Sequence, residues 1–81
     1  MKYPTIQDAI TLNNHTLLVT FTNGIKKTYD ITPLLSLDMF EPLKNYGFFK
    51  NVQVDIGGYG LFWNSDIDIS ESELWENGIE A

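Results

Sequence analysis

The sequence contains no cysteine, no arginine and a single histidine, and each shortage excludes a class of function. Without cysteine there is neither a disulfide framework nor a zinc site built on thiolates. Without arginine no guanidinium can read the edge of a guanine through two parallel hydrogen bonds. No apolar run approaches the roughly 20 residues that a membrane-spanning helix requires. Stability must therefore come from apolar packing or from a partner subunit.

The N-terminus reads Met1-Lys2-Tyr3-Pro4 and continues with polar residues, which is not the pattern of a signal peptide. We therefore expect a cytoplasmic location and no association with a membrane. A chain of 81 residues corresponds to one domain, so residues 1–81 are predicted to fold as a single unit.

Charge is distributed unevenly along the chain. Residues 1–50 carry five lysines and four acidic residues, whereas residues 51–81 carry seven acidic residues and no basic one. These seven are Asp55, Asp66, Asp68, Glu71, Glu73, Glu76 and Glu80. Such a segment repels the phosphate backbone, so we predict no direct binding to nucleic acid. Two interpretations stay open: a solvated face that keeps the protein soluble, or a surface that docks a basic partner.

The first part of the chain has the pattern of an antiparallel meander. Leu17, Val19 and Phe21 alternate with less apolar neighbours, which is typical of a half-buried strand. Asn23-Gly24 follows at once and predicts a type I′ hairpin turn, because both residues tolerate positive φ. Residues 5–30 are therefore predicted to form three antiparallel strands.

Short helices and further strands are predicted after residue 30. Thr32 is a candidate helix cap and Pro33 suits the first helical position, while a second helical stretch is predicted over residues 39–46. Alternating apolar residues predict a fourth strand over residues 52–56 and a fifth over residues 61–63. Ile67 and Ile69 fit either a sixth strand or an extended arm.

The last helix has a start and a stop signal. Ser70-Glu71-Ser72-Glu73 is a capping box, in which Ser70 bonds the amide of Glu73 and the Glu73 carboxylate bonds back. Gly78 is predicted to end the helix in the left-handed conformation. The predicted fold class is α+β: an antiparallel sheet of about five strands, made of a three-stranded meander, short helices and a second strand pair, with a short C-terminal helix.

No group of residues has the spacing of a catalytic or cofactor site. The segment from Asp66 to Ser70 matches the first ligands of a calcium loop, but Glu71 and Asn77 stand where glycine and a bidentate glutamate are needed. His15 has no cysteine or suitably spaced acid beside it. We therefore predict no catalytic residue, no cofactor and no metal. A hydrolase that uses carboxylates of the acidic C-terminal third, such as Asp66 and Asp68, is kept as an alternative.

Aromatic residues interleaved with the acids suggest a contact surface, because tryptophan and tyrosine are common anchors at interfaces. Strand alternation places Phe62 and Trp63 on opposite faces of the sheet, so one of them is expected to be exposed or covered by a partner. The predicted partner-binding residues are Trp63, Trp75, Tyr59, Asp55, Asp66, Glu76 and Glu80.

Several short motifs occur in an order that resembles a bacterial family catalogued as domain of unknown function 2442. They are Asn23-Gly24, Asp30-Ile31-Thr32-Pro33-Leu34-Leu35, Phe40-Glu41-Pro42-Leu43, Phe48-Phe49-Lys50-Asn51-Val52, Gly60-Leu61-Phe62-Trp63 and Asp68-Ile69. The resemblance covers nearly the whole chain. One departure is the segment Asn64-Ser65-Asp66-Ile67, where the family tends to have Pro-Asn-Gly.

The resemblance implies a small α+β domain that occurs alone or ahead of a helix-turn-helix domain. It also implies a small uncharacterised protein as a frequent genomic neighbour, an arrangement reminiscent of toxin–antitoxin pairs. The family has no established catalytic residues, so none is carried over. Because the chain stops at Ala81 without a DNA-binding part, we expect any action on DNA to require a partner.

These observations together favour a non-enzymatic interaction or regulatory module. Its expected partner is a protein with a basic surface. The resemblance implies that this partner is the product of an adjacent gene and that this chain is the antitoxin-like half of the pair. Besides the hydrolase, a homodimer formed through an exposed sheet edge is kept as a further alternative.

Overall fold

The computed structural model describes residues 3–81, which form two antiparallel sheets with short helices between and after them. The seven strands are β1 Ile6–Thr11, β2 Thr16–Phe21, β3 Lys26–Asp30, β4 Gln53–Val54, β5 Gly60–Asn64, β6 Ile67–Ser70 and β7 Ile79–Glu80. The helices are two 3-10 helices, Thr32–Ser36 and Asp38–Lys44, and two α-helices, α1 Tyr46–Phe49 and α2 Glu71–Asn77. Within residues 3–81, no helix has the length and apolar character needed to cross a membrane.

The predicted meander is confirmed as strands β1, β2 and β3 of the first sheet. Its second turn differs from the predicted type I′ geometry. Gly24 has a φ of 88°, but Asn23 does not have positive φ. The backbone N–H of Phe21 donates to the carbonyl of Ile25, so three residues form the loop and glycine takes its left-handed position.

A fourth strand that the sequence did not predict completes the first sheet. Strand β7 pairs with β3 through Thr28 and Ile79, which gives the order β1-β2-β3-β7. Gly78 precedes it with a φ of −73° and ψ of 156°, so the predicted left-handed stop is wrong. A β-carbon at Gly78 would overlap the Leu74 carbonyl oxygen, so glycine is required for close approach and not for positive φ.

The later strands form a separate sheet in the order β4-β5-β6. Ile67 and Ile69 belong to strand β6, so the sixth-strand alternative is confirmed over the extended arm. The α+β class with antiparallel pairing is confirmed, but the strands divide into groups of four and three. This division follows from pairing between distant segments, which alternation within one segment does not specify.

The core lies between the two sheets and the helices. Leu17, Val19 and Phe21 fill the inner face of the first sheet and are fully buried. The other buried apolar residues are Ile6, Tyr29, Ile31, Phe40, Leu43, Phe49, Leu61, Trp63, Ile67, Ile69 and Leu74. Strand alternation thus assigned the inner face of β2 correctly.

The helix termini differ from the capping predicted for them. Thr32 does not cap the first 3-10 helix. Instead, its N–H donates to Asp30 Oδ1 at 2.8 Å. Ser70 does accept a hydrogen bond from the N–H of Glu73, at 3.3 Å, as predicted. The reciprocal half of the capping box is absent among the described contacts, because the Glu73 carboxylate accepts from the Tyr29 hydroxyl.

Candidate functional site

A groove of about 280 Å³ lies on the outer face of the second sheet. Its lining combines carboxylates, aromatic rings and small polar groups. We call it the acidic-aromatic groove; it is lined by Asp55, Tyr59, Gly60, Leu61, Phe62, Asn64, Ser65, Asp68, Ile69 and Ser70. The groove faces away from the core, because Phe62 lies on the face of β5 opposite to the buried Trp63.

Strand register brings the aromatic and acidic side chains together. Phe62 on β5 is directly opposite Asp68 on β6, and Gly60 is opposite Ser70. Opposite residues of an antiparallel pair share a face, with β-carbons about 5 Å apart. The ring of Phe62 and the carboxylate of Asp68 are therefore neighbours. Gly60, two residues before Phe62, has no side chain and leaves the adjacent surface of the groove open.

The turn between β4 and β5 supplies the other side of the groove. Asp55 Oδ1 accepts a hydrogen bond from the N–H of Ile56 at 2.8 Å, which orients its carboxylate. The ring of Tyr59 lies against Gly57, where a β-carbon would be 2.6 Å from the ring. Tyr59 is nevertheless 64% exposed. The turn thus holds an exposed ring in place beside the groove.

The groove carboxylates have no cationic partner in the described part of the chain. The ion pair found there joins His15 Nδ1 and Asp30 Oδ1 at 3.4 Å, away from the groove. Asp55 and Asp68 are both exposed. Exposed carboxylates of this kind suit the binding of a cation better than general acid catalysis, which needs a carboxyl group shifted by burial or by neighbouring charge.

Asp66 lies beside the groove but not in its lining. It occupies the turn between β5 and β6, where Asn64 Oδ1 accepts hydrogen bonds from the N–H groups of Asp66 and Ile67. Asn64 thus organises this turn. No three His, Cys, Asp or Glu side chains converge on a possible metal position within residues 3–81.

Trp63 was predicted to contact a partner, and the structure places it in the core. It is 8% exposed, and its indole Nε1 donates to the Phe49 carbonyl at 2.8 Å. Its ring stacks on Phe49 with centroids 6.0 Å apart. This corrects its assignment to a partner surface, because both its ring and its donor are already engaged. The prediction that Phe62 and Trp63 face opposite ways is confirmed, with Phe62 on the outside.

Trp75 and Glu76 lie on helix α2 and do not line the groove. Trp75 is half-buried, with its ring edge-on to Phe21 at 5.0 Å, and Lys27 Nζ lies 3.9 Å from the ring centroid. The charge of Glu76 beside the Tyr3 hydroxyl raises the pKa of that tyrosine. Both residues therefore have intramolecular neighbours that their sequence positions did not indicate.

Glu80 lies on strand β7, opposite Lys27 of β3, and also stands outside the groove. Of the predicted partner-binding residues, the structure thus brings Asp55 and Tyr59 together in one groove. Phe62, Asp68 and Ser70 join them but were not among the predicted partner-binding residues. Alternation along β5 was the signal for Phe62, whereas Asp68 was predicted only as a carboxylate of the alternative hydrolase.

A second, larger cavity of about 630 Å³ adjoins the C-terminal end of β3. Tyr29 and Glu73 line it, and the Tyr29 hydroxyl donates to Glu73 Oε2 at 2.8 Å. Burial, together with this carboxylate, raises the pKa of Tyr29. The hydroxyl and the carboxylate satisfy each other, so this cavity is a weaker candidate site than the groove.

Comparison with known proteins gives a family and no further relative. No curated protein and no solved structure matches the chain. The family model described as "Protein of unknown function (DUF2442)" matches residues 6–80, which include all seven strands. The chain therefore belongs to this family.

Proposed function

We propose that this protein is a protein-interaction module whose acidic-aromatic groove receives a cationic side chain of a partner protein. The observation that carries the proposal is the exposed Tyr59 ring and the half-buried Phe62 ring beside two carboxylates, Asp55 and Asp68. A lysine or arginine can lie over such a ring while its charge pairs with a carboxylate.

The size and charge of the groove support a side chain as its occupant. Small-molecule pockets usually enclose roughly 300–1,000 Å³, and this groove, at about 280 Å³, is slightly smaller than that. An anionic ligand would face Asp55 and Asp68 with no lysine in the groove lining to offset them. A planar guanidinium fits the combination of ring face and carboxylate better than a compact ammonium, so arginine is the favoured side chain.

The identity of the partner is proposed from the family resemblance. The gene context that this resemblance implies points to the product of an adjacent gene, with this chain as the antitoxin-like half of a pair. The chain carries a net charge of −6, which favours rapid association with a basic protein. On this proposal the affinity of the complex decreases as salt concentration increases.

Co-expression with the product of the adjacent gene, followed by calorimetric titration of the purified proteins, tests the proposal. Tyr59→Ala and Asp68→Asn are each expected to weaken binding about tenfold, or about 1.4 kcal/mol. Tyr46→Ala and Asp38→Asn are matched controls, because both side chains are exposed and neither lines the groove.

Unchanged affinity in both groove variants would place the interface elsewhere on the molecule. The absence of any complex, together with no rescue of growth when the neighbouring protein is toxic, would overturn the antitoxin-like role.

A further inference from the structure

A row of three apolar residues and one threonine, which we call the apolar row, crosses the outer face of the first sheet from edge to edge. The register places Ile10 opposite Leu18, Leu18 opposite Thr28, and Thr28 opposite Ile79. Opposite residues share a face, so these four side chains form one continuous row across four strands. Ile10 is 49% exposed and Ile79 is 73% exposed.

This face is left open by the part of the chain that the structure describes. Leu17 and Val19, on the inner face of central strand β2, are wholly buried, whereas Leu18 between them is only partly covered. Exposed apolar residues that occur singly are normal, but a row spanning a whole sheet is typical of an interaction surface.

We propose that this face binds a second copy of the chain, related by a two-fold axis that runs parallel to the apolar row. Each residue of the row then lies near its own counterpart, as a two-fold interface requires. This dimer is independent of the acidic-aromatic groove, which lies on the other sheet.

Lys26 and Asp30, beside the row on β3, are complementary under this symmetry, whereas the exposed Asp8 beside the row on β1 has no basic counterpart on that strand. On one side Thr20 pairs with Lys26, and on the other side Thr16 pairs with Asp30. A two-fold axis along the row exchanges the two sides, so Lys26 of one copy faces Asp30 of the other. Threonine likewise faces threonine. Both charged residues are exposed, and Asp30 also lies 3.4 Å from His15 Nδ1 of its own chain.

The charge distribution also favours a second copy. Two chains of net charge −6 repel each other, so contact is least unfavourable where acidic residues are few. Of the 11 acidic residues in the chain, three lie on strands of the first sheet: Asp8, Asp30 and Glu80. Glu80 pairs with Lys27, and the two lie off the row made by Thr28 and Ile79.

The dimensions of the face indicate a weak dimer. Three strands of five or six residues and the two-residue β7, spaced about 4.8 Å apart, give a footprint of less than roughly 300 Å² per copy before side-chain relief is counted. Stable interfaces bury about 800 Å² per partner. We therefore expect a monomer–dimer equilibrium with a dissociation constant on the order of 10–100 µM.

Sedimentation equilibrium of the full chain, from about 10 µM to about 1 mM, tests the proposal. The wild-type protein is expected to shift from monomer to dimer across this range. Ile10→Asp is expected to remain monomeric, because it places a carboxylate in the apolar row. Leu37→Asp is the matched control, since Leu37 is 51% exposed but lies outside the sheet.

Two further variants test the geometry. Lys26→Glu is expected to weaken the dimer at least tenfold, because it places a second carboxylate opposite Asp30, whereas Lys44→Glu makes the same charge change away from this face. Leu18→Thr is expected to weaken a face-to-face dimer but not one formed through a sheet edge, because β2 is an interior strand. Circular dichroism confirms that each variant is folded.

A wild-type protein that stays monomeric at every concentration would overturn the proposal. A dimer that survives Ile10→Asp, Lys26→Glu and Leu18→Thr would also overturn it, and would assign the contact to an edge. Tyr59→Ala is expected to leave the dimer intact, so failure of the dimer and failure of the groove proposal are distinguishable.

Discussion

The Tyr29 hydroxyl donates a hydrogen bond of 2.8 Å to Glu73 Oε2, and this contact joins strand β3 to helix α2. The two residues are 44 positions apart in the chain. The contact also explains why Glu73 does not complete its capping box, because its carboxylate is directed at the tyrosine. It connects the first sheet to the helix that follows the second sheet.

Replacing Tyr29 with phenylalanine should lower stability and change its response to alkaline pH. Loss of the hydrogen bond is expected to reduce the free energy of unfolding by about 1 kcal/mol near neutral pH. The pKa of Tyr29 is raised in the folded state, mainly by burial. Its contribution is therefore complete below about pH 10, the pKa of an unfolded tyrosine, and is lost as pH rises further.

Urea unfolding between neutral and alkaline pH measures this effect. Tyr29→Phe should lose less stability above about pH 10 than the wild-type protein does. Tyr59→Phe is the control, since that ring is exposed. If the wild-type protein and Tyr29→Phe lost equal stability at alkaline pH, Tyr29 would not be the group responsible for that loss.

Replacing Asp30 with asparagine should change how the free energy of unfolding depends on pH in the acidic range. Hydrogen bonds from Thr32, with a smaller contribution from His15, lower the pKa of Asp30 in the folded state. Because the folded pKa is lowered, the stabilisation is present above about pH 4, the unfolded pKa, and is lost as pH falls through the folded value. Asp30→Asn keeps an acceptor for the Thr32 N–H but removes the charge of an exposed carboxylate, so it is expected to be less stable than wild type at neutral pH by less than about 0.5 kcal/mol.

Urea unfolding of Asp30→Asn and of the wild-type protein, at pH values from about 6 down to about 2, tests this prediction. The difference between the two proteins should shrink as pH falls. Asp38→Asn provides a control at another exposed carboxylate. A difference that is constant with pH would show that the charge of Asp30 is not responsible.

Replacing Trp63 with phenylalanine should destabilise the core. The change removes the indole N–H that donates to the Phe49 carbonyl, which keeps only the longer 3.3 Å hydrogen bond from the Val52 N–H, and it reduces the stacked contact between the two rings. Loss of this hydrogen bond together with part of a buried ring is expected to cost about 1–3 kcal/mol. Chemical unfolding followed by circular dichroism measures the loss. Trp75→Phe, at a half-buried position, is expected to cost less, and the reverse order would contradict the core position of Trp63.

Replacing Gly78 with alanine should displace strand β7. The added β-carbon would overlap the Leu74 carbonyl oxygen and crowd Lys27. We expect a loss of more than about 1 kcal/mol and faster amide exchange at Ala81, whose N–H donates to the Lys26 carbonyl. Gly47→Ala is the control, because its β-carbon would meet only the movable side chain of Asn45. If the Ala81 amide exchanged in Gly78→Ala at the wild-type rate, Gly78 would not be required for the close approach of the backbone.

The features predicted correctly are those encoded within a few residues. Alternation along residues 16–21 placed Leu17 and Val19 on the inner face, and Ser70 caps α2 through a contact three residues away. The groove was predicted only in part. Asp55 and Tyr59 stood among the predicted partner-binding residues, but Phe62 and Asp68 meet through strand register, which local composition does not encode.

By itself, the sequence determined the α+β class, the meander and the start of the last helix. Each of these depends on backbone periodicity or on a hydrogen bond between near neighbours. Only the tertiary structure decided the division into two sheets, the two-residue strand β7, the burial of Trp63 and the hydrogen bond between Tyr29 and Glu73. These depend on contacts between segments far apart in the chain, where the shared burial of apolar surface outweighs the preference of any one segment.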